Sequence, residues 1–95
     1  MTDWVLVSYI MRSSISRRIL ETLASSKKPL TPKIIAKEGK MSPSNISTRL
    51  IILRDGDLVE CVNPEDRKWR FYRITRKGLE ILKEAKKLDK QQTNI

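Results

Sequence analysis

Few side chains in this 95-residue chain can do chemistry near neutral pH, and what they lack narrows the possibilities. Histidine is absent, so acid/base work near neutrality would need a strongly shifted carboxylate, lysine or thiol. The nearest carboxylate pairs, Asp55 with Asp57 and Glu65 with Asp66, fall at expected turns, where such residues are ordinary. Cys61 has no second cysteine and no histidine to join it, which removes an internal disulfide and a thiolate metal site. A small buried residue on a strand is the expected role for it. No phosphate-cradling glycine loop or nucleophile motif accompanies these groups. The residues therefore predict no enzyme, no cofactor and no metal.

Hydrogen bonding and charge remain. Ser44, Asn45, Ser47 and Thr48 place four short polar side chains within five positions, and twenty Lys and Arg stand against eleven Asp and Glu, a net charge of +9. Such an excess implies a polyanionic partner, nucleic acid ahead of an anionic membrane. No run of some 18 apolar residues exists, and the stretch WVLVSYIM is too short and wrongly flanked for a span or a cleavable signal, so a cytoplasmic protein without membrane contact is expected.

The elements that hold the polar cluster can be read from punctuation. Thr31 and Pro32 are an N-cap and first helical residue, Ile34, Ile35 and Ala36 supply an apolar side, and Gly39 falls where a left-handed C-terminal residue is wanted. Ser42 and Pro43 repeat the start signal, and the pattern runs to Asp55 before Gly56 stops it. Within 43–55, Ile46, Leu50 and Leu53 form one apolar stripe facing a core. At about 100° per residue, Ser44 and Thr48 point away from it, Asn45 and Ser47 lie on its shoulders, and Arg49 borders the core edge. This is a helix-turn-helix. Its second helix carries in its N-terminal half the short hydrogen-bonding residues that let a helix approach base edges in a major groove. Taken singly, each is more commonly a solvated surface residue.

Flanking segments complete the domain. Ser14 is the expected N-cap of a helix through about Ala24, with Ile15, Ile19, Leu20 and Leu23 inward. The apolar block Trp4–Met11 has no clean period; a short helix is preferred over a strand. Leu30 leads into the helix-turn-helix as a brief extended residue. Residues 58–62 and 69–74 read as the strands of a hairpin joined by Asn63 to Arg67, and Thr75 caps a last helix over 75–88 whose apolar residues spread over more than one face. DKQQTNI, from Asp89 to the end, is expected to fray.

From 14 to 83 the order of these elements resembles the winged helix-turn-helix transcriptional regulators of the MarR and ArsR type, especially small archaeal members. SPSNISTRLIILRDGDLVE is similar to that family's recognition helix entering the first wing strand, and RFYRITRKGLEIL to the second wing strand entering a closing helix. The resemblance implies a mainly α fold with a small β-hairpin (α+β): a three-helix core, a wing and an additional C-terminal helix. It implies that helix 43–55 enters the major groove through Ser44, Asn45, Ser47, Thr48 and Arg49, and that the wing, 59–74, meets flanking backbone or minor groove through Arg67, Lys68 and Arg70. Ile51 and Ile52 depart from the pattern, which often has Lys, Arg or Glu at such outward positions.

Charge is unevenly distributed: +5 over residues 1–40, +1 over 41–74 and +3 over 75–95. The reading element is nearly neutral, so phosphate contacts fall to its neighbours, with Lys33, Lys37, Lys40 and Ser42 as the expected backbone set. One domain, 1–88, is expected, its N-terminal segment 1–13 and helix 75–88 both available for dimer contacts. The function expected is sequence-specific binding of double-stranded DNA as a homodimer, with repression the output because no activation segment is visible and no small-molecule effector is evident. The alternative is a winged-helix protein–protein adaptor docking through Ile51, Ile52 and the wing aromatics.

Overall fold

Asp3 and Ser13 start the first two helices. The Asp3 carboxylate accepts from the Leu6 N–H at 3.2 Å and caps α1 (Trp4–Arg12); Ser13 Oγ accepts from the Ser16 N–H at 3.3 Å and caps α2 (Ser14–Ser25). The apolar N-terminal block is thus helical, and the second cap is Ser13 where Ser14 was expected. Ser13 also ends α1, its N–H donating to the Tyr9 carbonyl, so a single residue forms the elbow between them. The computed structural model describes residues 3–93, with side chains through residue 89. Residues 1–2 and 94–95, parts of the expected N-terminal segment and tail, lie outside the described residues.

Thr31 Oγ1 accepts from the Ile34 N–H at 3.3 Å and Pro32 occupies the first turn, which starts α3 (Pro32–Gly39). The expected left-handed residue at its end is not Gly39 but Lys40, at φ 54° and ψ 51°. Gly39 serves a different need. A Cβ there would lie 2.3 Å from Met41 Cε and 3.1 Å from Thr22 Oγ1, so its small size lets the turn close on α2. Ile35 and Ala36 are buried as expected, whereas Ile34 is turned outward.

Ser42 and Pro43 begin α4 (Pro43–Asp55), but the Ser42 hydroxyl does not cap the backbone. It pairs with Ser44 Oγ at 2.9 Å instead. Ile46, Leu50 and Leu53 are buried, the stripe expected of this helix. Past Gly56, Asp57 takes φ 62° and the chain enters β1 (Val59–Cys61), antiparallel to β2 (Tyr72–Ile74) with Val59 opposite Ile74 and Cys61 opposite Tyr72. Leu30 exchanges two backbone hydrogen bonds with Tyr72, which ties the start of the helix-turn-helix to the wing.

Thr75 Oγ1 accepts from the Gly78 N–H at 2.9 Å at the start of α5 (Arg76–Thr93). A Cβ on Gly78 would fall 2.2 Å from the Leu58 carbonyl oxygen, so glycine alone allows α5 to leave so close to the first wing strand. The helix continues to Thr93, beyond Asp89 where fraying was expected, and Asp89 forms an ion pair with Arg17 of α2. Val7 and Ile10 of α1, Ile19, Leu20 and Leu23 of α2, and Ile81, Leu82 and Ala85 of α5 join the α3 and α4 residues in one core. The fold is mainly α with one small hairpin: helix-turn-helix, wing and C-terminal helix, with α1 laid against α5.

Candidate nucleic-acid interface

The exposed face of α4 is set by what its other face buries. Because Ile46, Leu50 and Leu53 are locked in the core, Ser44 and Thr48 are exposed on the opposite side, and Asn45 and Ser47 are exposed on its two flanks. Arg49 does not share that face. It is half-buried and lines an open cleft of about 380 Å³ with Tyr9, Arg12, Ser13, Ser14 and Ile15, against the elbow between α1 and α2. Arg12 and Tyr9 escaped the sequence because the N-terminal block gave no helical register. Tyr9 is oriented by a 2.7 Å hydrogen bond to the fully buried Ser16 hydroxyl.

Lys33, Lys37 and Lys40 are exposed on and just after α3, and Ser42 is exposed in the turn that follows. Lys33 and Lys37 stand one helical turn apart on one side. The acidic residue of α3, Glu38, lines a groove with Glu21, Thr22 and Ser25 of α2, so negative charge is turned toward the scaffold. Several other cations are engaged internally. Arg17 pairs with Glu21 at 3.4 Å and with Asp89, Lys86 with Glu21 at 3.8 Å, Lys77 with Asp3 at 3.9 Å, and Arg73 with Glu60. Among the described residues, Lys33, Lys37, Lys40, Arg67 and Lys68 take part in no such pair. Their charge faces water.

The wing is shorter in its strands than expected, and side-chain hydrogen bonds hold its tip. Strands expected over 58–62 and 69–74 contract because side chains take over the backbone donors. Asp66 Oδ1 accepts from the N–H groups of Lys68 at 2.9 Å and Trp69 at 2.8 Å, while Asn63 accepts from the Phe71 N–H at 2.7 Å and donates to the Trp69 carbonyl at 2.6 Å. The Trp69 N–H first, then that of Lys68, holds the Asp66 carboxyl below its ordinary pKa against a small opposing effect of burial, with Arg70 adding to the lowering. Asp66 is therefore a turn builder as well as a negative charge. Arg67 and Lys68 are exposed at the tip; Arg70 is half-buried, its Nε donating to the Asp66 carbonyl at 3.0 Å. Cys61 is half-buried with a free thiol, more open than the expected core position.

Among the described residues, no group of three or more Asp, Glu, Cys or His side chains is placed to hold a metal ion, and no helix is long and apolar enough to cross a membrane. An exposed polar helix face, a lysine-bearing helix before it and, after it, a hairpin whose tip carries Arg67 and Lys68 beside Glu65 and Asp66 make up a winged helix-turn-helix. The same architecture recurs in solved structures, a MarR family transcription regulator among them. That regulator superimposes with a TM-score of 0.74 at 21% identity, covering 94% of this chain and 59% of the other. RV1404 from Mycobacterium tuberculosis gives 0.73 at 13% identity over 95% of this chain and 65% of its own. A mutant MepR from S. aureus, solved bound to an oligodeoxyribonucleotide, gives 0.67 at 20% identity over 83% of this chain and 59% of its own. The chain thus spans about three fifths of the length of these structures. No protein-family model and no curated protein matches the sequence.

Proposed function

We propose that this protein is a sequence-specific, double-stranded-DNA-binding transcriptional regulator. The observation that carries this reading is the exposed set Ser44, Asn45, Ser47 and Thr48 on a helix whose other face is locked into the core, beside lysines that no carboxylate neutralises. The four short side chains read base edges in the major groove, and Lys33, Lys37, Lys40 and Ser42 hold the flanking phosphates. Arg67 and Lys68 extend the grip at the wing, with Arg70 bracing the turn that carries them. Arg49, turned to the elbow, stands outside the base-reading set. The DNA-bound neighbour of the same fold supports the choice of ligand.

A domain of this size makes few base contacts alone, and dimeric readers of this kind place two copies on half-sites one helical turn apart. Trp4 and Val5 on α1 and Leu79 on α5 are 58%, 78% and 48% exposed, an apolar surface on two helices that pack together and the proposed homodimer contact. Occupancy of a site by such a dimer blocks access to it, the simplest route to repression. An adaptor role resting on Ile51, Ile52 and Trp69 finds less support, since it leaves the unpaired lysines without a task.

Binding of labelled duplexes tests the assignment. Thr48→Ala relaxes the choice of sequence, whereas Lys37→Ala weakens binding to every duplex alike and lowers the slope of log K against log salt by about 1. Undetectable or salt-insensitive binding contradicts it.

A further inference from the structure

Ile51 is a large apolar residue left 51% exposed on α4, and its position on the helix is what makes it informative. Ser44, Thr48, Ile51 and Asp55 recur at i, i+4, i+7 and i+11, so Ile51 continues the outward stripe that Ser44 and Thr48 begin. At about 1.5 Å per residue, Ser44 and Ile51 lie roughly 10 Å apart along the axis, within the roughly 12 Å width of the major groove. Asp55, a further turn on, falls beyond that width. A helix seated by Ser44 and Thr48 therefore brings Ile51 against base edges as well. The apolar group displayed there by unmodified DNA is the C5-methyl of thymine.

Resting on the DNA-binding reading above, we infer that Ile51 is a specificity-determining residue that recognises a thymine methyl in each half-site. The polar residues at the start of the helix select hydrogen-bonding edges; Ile51 selects against a base pair lacking the methyl, because its side chain then stays against polar edges or water. Its exposure in the free protein follows from this use.

The test begins with duplexes enriched from random synthetic DNA, which contains no methylated cytosine, and replaces each thymine of the enriched sequence by deoxyuridine in turn. At one position per half-site, loss of the methyl weakens wild-type binding about fourfold, the value of one buried methyl-sized group. Ile51→Ala binds the thymine and deoxyuridine duplexes equally, and Ile51→Val keeps part of the discrimination. Because the side chain is half exposed, both variants keep the wild-type melting temperature. A wild type indifferent to deoxyuridine at every position, or an Ile51→Ala protein that still discriminates, overturns the assignment of Ile51 while leaving DNA binding intact. Failure to enrich any sequence overturns both this inference and the reading it rests on.

Discussion

On the proposed function, short side chains on α4 and long ones around it divide the labour between choice and grip. Ser44, Asn45, Ser47 and Thr48 bring no charge, so they add little attraction at a distance and act only at contact. Lys33, Lys37 and Lys40, in the role proposed for them, act through phosphate charge and carry no base information. Lys40 joins grip to a backbone cost, since a non-glycine residue in the left-handed region is strained by roughly 1 kcal/mol. Lys40→Gly accordingly raises stability, by up to about 1 kcal/mol, while it weakens DNA binding; chemical denaturation and duplex titration, run on the same sample, separate the two effects. At the wing tip, the depressed Asp66 pKa means that its turn is favoured at all pH values above the ordinary carboxylate range and loses that support as pH falls through the lower, folded value. The amide signals of Lys68 and Trp69 therefore titrate with a midpoint below the ordinary aspartate value, and Asp66→Ala abolishes the transition and lowers wing affinity at neutral pH.

At the scale of elements, two glycines in the same fold predict opposite sensitivities. Gly78→Ala sets a methyl against the Leu58 backbone carbonyl, which cannot move aside, and costs about 2 kcal/mol, read as a lower urea midpoint with unchanged slope. Gly39→Ala meets the flexible end of Met41 and gains helix propensity, so its net effect stays within about 1 kcal/mol. The helix-turn-helix was legible because its signals are local: Thr31 with Pro32, Ser42 with Pro43, and the Ile46, Leu50, Leu53 stripe each specify position within a few residues. What escaped was tertiary. The left-handed residue after α3 is Lys40, one position past the glycine, and Arg49 faces the elbow because α1, whose apolar block has no clean period, packs beside it. The wing strands read too long because alternation cannot foresee Asn63 and Asp66 claiming the N–H groups of Phe71, Lys68 and Trp69.

For the whole molecule, net charge and apolar exposure point to different partners on different surfaces. On the proposed function the positive excess meets DNA, and the exposed Trp4, Val5 and Leu79 are the proposed contact with a second copy. Val5→Glu together with Leu79→Glu yields a folded monomer in analytical ultracentrifugation, with binding to a full site reduced to that of one half-site; a dimer unchanged by both substitutions moves the contact elsewhere. The central claim, that this fold chooses a DNA sequence through α4 and does so in pairs, is tested most directly by selecting bound duplexes from a random double-stranded pool. The account predicts enrichment of a palindromic motif with half-sites about 10 base pairs apart, centre to centre. Recovery of the pool without any enriched sequence would contradict it.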